Sequence, residues 1–438
     1  MSATIYNALV EFNEKNNKTL KFIQRNNLNI VLPTSLFFTD NESFLTEVQK
    51  HEIDSPFVVS TFKFSEVEID LLLKYSNNEI VKLAKERLLK IKECSLHNSF
   101  SYFKYISDIV QIEKLDVPIC FLICNINEAI NTHLLSVKSN NLHICFDAYE
   151  KKILNEDELH LLEKNFFYIR QTALPYDSFK IPIKSIKKTK NIFQGGKIIV
   201  NKKSYFLSDN IRLKDIEGGE ASIYKLESSS RQIVKIFNSF SETKMTKVKL
   251  LLSNTVKKRV LSDFCVLPDD IVLSNDGKEI GYVMENIEGD RLDQFVYKLS
   301  QNNDTTIIQI VQLYLKVALS VHAVHLSDFV IGDIHANNFI VTHNNKVKIV
   351  DCDSFNMLNY PCDGLHYEAF ETFSHKHLSY QSDFFLLNFV FDDLLKMFKD
   401  DIRTEYFKIK KLYKPYNDVI DFIYAFYYFL KENQYEEV

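Results

Sequence analysis

Apolar residues recur along this chain in two rhythms, and the change comes roughly halfway. From Glu66 to Ile91, leucines and isoleucines interleave with Lys and Glu at helical spacing, and Ser76-Asn77-Asn78 breaks the run in two. Two apolar runs, from Pro118 to Cys124 and from Leu142 to Phe146, read as buried strands. Asn155-Glu-Asp-Glu opens a helix, with Asn155 as cap and acids in the first turn. From about Phe206 short β-type runs dominate. The stretch from Ile211 to Leu226 reads as strand, glycine turn, strand, and Gln232 to Phe237 as a third strand. Asn275-Asp276-Gly277 is a hairpin turn whose return strand is Ile280 to Met284. A strongly apolar helix follows from Ile307 to Ser327. Then come two short strands, Phe339 to Thr342 and Val347 to Val350, flanking the turn residues His343-Asn344-Asn345-Lys346.

That last hairpin carries the chemistry. A hairpin goes out and comes back, so the residues flanking it, Asn338 and Asp351, lie side by side. An amide oxygen and a carboxylate placed together suit Mg²⁺, a hard cation that takes oxygen ligands and keeps positions for phosphates. Upstream, Asp333 stands in the arrangement Asp-x-x-x-x-Asn, where a carboxylate can take the proton of an attacking hydroxyl.

Composition sets bounds around this. At 438 residues the length predicts two or three domains, and a formal net charge of −5 gives no general pull toward nucleic acid or anionic lipid. The first residues lack the basic end and apolar core of a signal peptide, and the apolar run from Val419 to Leu430 is short and contains Asp421, so no membrane span is expected. Seven cysteines without a Cys-x-x-Cys pair fit a reducing cytoplasm rather than a zinc ribbon or disulfide framework; Cys120 and Cys124 read as buried small hydrophobes. Every glycine lies at Gly195 or later, which leaves the first part of the chain without the glycine loops of Rossmann or Walker sites. A basic segment from Lys180 to Lys203 reads as a junction.

Asp333, Asn338 and Asp351 together resemble the catalytic-loop Asp and Asn and the metal-binding Asp of the protein-kinase superfamily. The resemblance covers about the second half of the chain. It implies an α+β, bilobal protein-kinase-like domain preceded by a mixed α/β domain of no recognised family: 1–179 N-terminal domain, 180–205 basic junction, 206–286 N-lobe, and 287–438 a trimmed C-lobe. It also implies ATP and Mg²⁺ as cofactors. Lys235, between Val234 and Ile236, matches the lysine that holds the α- and β-phosphates. Gly218, Gly219 and Glu220 match the loop over the triphosphate, and Glu285 and Asn286, after Met284, match the hinge that binds adenine. Asp383, in Ser-Tyr-Gln-Ser-Asp-Phe, matches the residue that tethers the catalytic loop.

The departures are specific. Ala221-Ser222 stand where a third glycine is usual; His-Arg-Asp is replaced by Ile331-Gly332-Asp333; His335 replaces a lysine; Asp-Phe-Gly is replaced by Asp351-Cys352-Asp353. The helix after Lys235 should offer it a glutamate, yet from Asn238 to Lys258 the only acid is Glu242, in what reads as a first turn. The form Gly-Asp-Ile-His-x-x-Asn is also similar to aminoglycoside and choline phosphotransferases. Val-Asp-Cys-Asp-Ser-Phe is more similar to a bacterial group of protein-kinase-like proteins, some with helix-hairpin-helix domains, a motif not seen in this sequence. The expectation is a Ser/Thr protein kinase acting on a protein substrate; the alternatives are a small-molecule kinase and a nucleotide-gated pseudokinase.

Overall fold

The computed structural model describes residues 29–38, 59–61, 64–94 except 77, 119–122, 142–147, 152–154, and 196–433 apart from 209–210, 214–220, 227–228, 240, 254–260, 328, 358–361, 363–377, 379 and 413–417. The helix expected at Asn155 and the glycine loop at Gly218-Gly219-Glu220 lie outside the described residues.

The first elements form a mixed α/β layer. Strands β1 (Asn29–Leu32), β2 (Val59–Thr61), β3 (Ile119–Leu122), β4 (Leu142–Asp147) and β5 (Lys152–Leu154) make one sheet in the order β2-β1-β3-β4-β5, parallel except for the β4–β5 pair. Helices α1 (Ser65–Tyr75) and α2 (Glu79–Cys94) divide at the expected Ser-Asn-Asn. The reason is local: Ser76 turns to extended backbone and closes α1, and the Asn78 side chain accepts from the Ile80 N–H at 3.1 Å, capping α2.

A six-stranded antiparallel sheet follows. It comprises β6 (Gly196–Val200), β7 (Lys203–Leu207), β8 (Ala221–Leu226), β9 (Ser229–Phe237), β10 (Pro268–Ser274) and β11 (Glu279–Glu285), in the order β7-β6-β10-β11-β9-β8. The end of the basic junction is therefore an edge hairpin, and this sheet begins at Gly196 rather than near residue 206. The expected strand at Ile211 is reduced to a single bridge, Arg212 to Tyr224. Strand alternation sorts β9 onto two faces. Val234 and Ile236 join one apolar cluster with Ile198 and Val283. Ile233 and Phe237 join the other with Tyr282 and two residues of helix α3 (Glu242–Ser253), Met245 and Val248. Lys235 shares the parity of Ile233 and Phe237, which sends its side chain to the α3 side.

The remaining elements are β12 (Gly289–Arg291), α4 (Leu292–Gln301), α5 (Ile307–His325), β13 (Phe329–Val330), β14 (Phe339–Thr342), β15 (Val347–Ile349), β16 (Asn356–Met357), α6 (Tyr380–Leu395), α7 (Asp400–Lys410) and α8 (Val419–Glu432). Helix α5 is the axis of the core. A Thr306/Gln309 capping box starts it, and from Ile310 onward it is buried nearly all round. By length and composition α5 could cross a membrane, but here it is packed inside protein. Tyr314 stacks on Phe391 of α6 with ring centroids 4.1 Å apart. The same apolar core takes in α1 and α2. Phe64 lies against Tyr424 of α8 at 5.3 Å, and Glu68 meets His322 of α5 at 3.1 Å.

Candidate functional site

The β14–β15 hairpin forms as expected, with Phe339 opposite Ile349 and the Val350 N–H donating to the Asn338 carbonyl at 2.9 Å. Its return strand is pinned to the segment before β10: the Val266 N–H donates to Ile349 at 2.8 Å, and the Ile349 N–H donates to Phe264 at 2.7 Å. Those two bonds fix the hairpin against the six-stranded sheet, and with it everything attached to β15.

Asp351 ends that strand abruptly. Its backbone is left-handed, with φ 67° and ψ 36°, a conformation that costs a non-glycine residue about 1–2 kcal/mol. The turn stores that strain to a purpose, because it starts a short 3-10 helix, Cys352–Ser354, that swings Asp353 back under Asp351. The Ser354 N–H and hydroxyl both donate to the Asp351 carbonyl, at 3.0 and 2.8 Å, and hold the turn closed.

Lys235 reaches both carboxylates. Its Nζ donates to Asp351 Oδ1 and, at 2.7 Å, to Asp353 Oδ1, which also accepts from the Tyr282 hydroxyl at 2.6 Å. Burial would lower the lysine's pKa, but the carboxylates of Asp353 and then Asp351 beside it hold it well above the ordinary lysine range. Burial likewise opposes the Asp353 carboxylate, and the Lys235 ammonium outweighs it and keeps the pKa below the usual value. The Tyr282 phenol is driven well above its normal range by burial and by the Asp353 charge, so it stays a donor.

Asn338 donates its Nδ2 to the Asp333 carbonyl at 3.0 Å, which ties the two residues together and leaves the amide oxygen to accept or to ligate. Asp333 Oδ2 lies 3.6 Å from His335 Nε2. The loop itself hangs from Asp383. This carboxylate is fully buried and accepts the Gly332 N–H at 2.9 Å on Oδ1; on Oδ2 it accepts the Ile331 N–H at 2.8 Å and meets His325 Nε2 at 2.9 Å. Gly332 is left-handed, φ 75°, and a Cβ there would sit 2.8 Å from Leu378 and 3.0 Å from Cys362.

The hinge residues are placed less simply. Glu285 is exposed at the end of β11, beside a polar recess of about 470 Å³ lined by Arg231, Asn286, Ile287, Glu288 and Thr342. The Asn286 N–H donates to the Arg231 carbonyl at 2.8 Å, so that donor is committed to the sheet. Glu242 opens α3 and is exposed.

The donor set fits Mg²⁺. Asn338 and Asp351 would offer oxygen ligands, the kind a hard cation takes while its other positions go to water and phosphate. Exposure separates the two aspartates: Asp351 keeps 38% of its side chain exposed and Asp353 only 2%, so Asp351 is the one a cation from solvent can reach.

No protein-family model matches the chain. Its sequence is similar to that of a protein kinase. Over 144 residues it is 24% identical to protein kinase YegI of Escherichia coli (strain K12), a stretch covering 32% of this chain and 22% of that protein. The chain thus spans about a fifth of the length of this relative. Among solved structures, the ROP18 kinase domain in complex with AMP-PNP and sucrose overlaps 54% of this chain and 76% of its own, at 11% identity and a TM-score of 0.37. That overlap is too loose to decide the fold.

Sequence reading missed Asp353, Tyr282 and His325 as parts of the site. Asp353 was noted within Asp351-Cys352-Asp353 but given no partner, and alternation on β11, which puts Tyr282 on the Met284 face, is the signal that could have found the hydroxyl.

Proposed function

We propose that this chain is an ATP- and Mg²⁺-dependent phosphotransferase of bilobal, protein-kinase-like fold that transfers the γ-phosphate to a hydroxyl, with a serine or threonine of a protein as acceptor. The observation that carries the reading is the meeting of Lys235, from the sheet, with Asp351, from the hairpin that also fixes Asn338. A phosphate-binding cation and a metal-binding carboxylate are thereby brought to one place from positions 116 residues apart.

In this reading the Lys235 ammonium holds the α- and β-phosphates. Asn338 and Asp351 would hold Mg²⁺, which neutralises phosphate charge when bound. Asp333 orients the acceptor hydroxyl. Its oxygen forms the new bond to the γ-phosphorus as the β–γ bridging bond breaks, ADP departs, and Asp333 receives the hydroxyl proton. Gly218, Gly219 and Glu220 would cover the triphosphate, and Glu285 with its neighbours would border the adenine. Residues 1–179 would recruit the substrate or regulate access to it.

The test is a thermal melt with ATP, with and without Mg²⁺. A ligand that binds only the folded state raises the melting temperature, by about 2.7 kcal/mol of stability at one hundred times its Kd. Wild type should show a magnesium-dependent rise and Asp351→Asn should lose most of it. An unchanged magnesium response in that variant removes Asp351 from the metal site, and no response in wild type removes the reading.

A further inference from the structure

A lysine buried beside phosphates needs a fixed carboxylate to hold its extended side chain in register. Helix α3 faces the lysine and supplies none. Its acid, Glu242, is its first residue and is exposed. The residue α3 buries against the metal-binding turn is a second lysine, Lys247, fully enclosed, whose Nζ donates to the Ser354 carbonyl at 3.3 Å. The charge on the helix side is thus the reverse of what Lys235 requires.

We propose that Asp353, braced by Tyr282, is the positioning residue for Lys235, so that the phosphate-binding lysine is aligned by the turn that carries Asp351 and not by helix α3. The proposal rests on the phosphotransferase reading and deepens it. Burial and exposure give the two aspartates different work. Asp353 is closed to water and accepts from both Lys235 and Tyr282, so it is the standing partner. Asp351 is the more accessible of the two, and its contact with Lys235 is the contact that yields when a metal-bound phosphate arrives. An ammonium has three N–H donors. One stays on Asp353 and two turn to phosphate oxygens. Lysine and metal ligand then move as one rigid turn, and α3 braces that turn from behind through Lys247.

The experiment is a double-mutant cycle on the full chain, read by binding of ATP with Mg²⁺ and, separately, of adenosine. Asp353→Asn should weaken ATP binding on the order of tenfold, the equivalent of one lost charge-assisted hydrogen bond, and leave adenosine within about twofold. Lys235→Met should do the same, and the double variant should be no weaker than Lys235→Met alone, because Asp353 acts only through that lysine. Tyr282→Phe keeps the ring and removes only the hydroxyl, so it tests the brace if Asp353→Asn fails to fold; it should weaken ATP binding about threefold in the wild-type background and not at all beside Lys235→Met. Glu242→Gln should change nothing. Additive losses in the Lys235→Met background, equal losses for ATP and adenosine, or a loss in Glu242→Gln matching that of Asp353→Asn would each overturn the proposal while leaving the phosphotransferase reading intact. Absence of ATP binding by wild type would instead defeat that reading itself.

Discussion

Replacing Asp383 by asparagine should be among the most damaging single-atom changes this protein can suffer. The carboxylate is fully buried and is met by three nitrogens: the N–H groups of Ile331 and Gly332 at 2.8 and 2.9 Å, and His325 Nε2 at 2.9 Å. His325 cannot swing away, because its ring stacks on Tyr380 with centroids 4.1 Å apart and the Tyr380 hydroxyl donates to its carbonyl at 2.8 Å. Among the described residues its Nδ1 has no hydrogen-bond partner, and its Nε2 faces the Asp383 carboxylate, which can only accept. An asparagine oxygen can keep one side of this arrangement, but its NH₂ then faces a donor on the other. At least one buried N–H is orphaned, at about 1–3 kcal/mol, and the surviving bonds lose their charge assistance, at about 1 kcal/mol each. The sum is about 3–5 kcal/mol, or a fall in melting temperature of roughly 10 °C for a domain of 150–250 residues. Thermal melts give the size, and amide hydrogen exchange over the peptide containing Ile331 and Gly332 gives the place. Asp333 is the next residue, so phosphoryl transfer should fall further than ATP affinity. A loss under about 1 kcal/mol, or unchanged exchange at those two amides, would show that Asp383 does not hold the loop.

Other expected outcomes follow from single contacts. Gly281→Ala would drive a Cβ to 2.0 Å from the Lys235 carbonyl, forcing β9 and β11 apart; both stability and the ATP-dependent melting shift should drop, and retention of the full shift would count against the strand pairing. Gly332→Ala combines a left-handed backbone with the approach to Leu378 and Cys362 and should cost about 1–3 kcal/mol in melts; a neutral result would mean that this crowding relaxes freely. Because apolar Cys362 and Leu378 crowd the place where an arginine would gather a loop phosphate, phosphatase treatment confirmed by mass spectrometry should leave initial rates unchanged, and a large loss restored by rephosphorylation at Tyr360 or Thr372 would refute this. Phe64→Ala should destabilise the region around α8 by about 3–5 kcal/mol, read as a lower melting temperature.

What could be read from residues alone was whatever is local. The hairpin at Phe339 to Val350 announces itself by β-branched runs around turn residues, and that sufficed to set Asn338 beside Asp351. The break at Ser76 was likewise written within a few positions. The partner of Lys235 was not, because Asp353 lies 118 residues away and nothing local in the sequence brings the two together. Nor was the shared core visible, since Glu68 and His322 become neighbours only when two distant helices pack. The end of the basic stretch, which the sequence leaves open between a solvated linker and a strand pair, is a strand pair. Lys197, Lys202 and Lys203 are exposed, and the pattern that matters there is the buried Ile198, Val200 and Leu207 among and after them.

The clasp between Phe64 and the tyrosines of α8 sets a schedule for the newborn chain. A ribosome making about 5–20 residues each second needs roughly 20–70 s to travel from one side of that contact to the other. Through that interval α2 and then α5 can cover part of α1, but the ring of Phe64 still lacks the tyrosines of α8. Local turns such as the β14–β15 hairpin close within microseconds of emerging. The helix whose tyrosines cover Phe64 is made long after that ring, so chaperone binding during synthesis should include the face around Phe64.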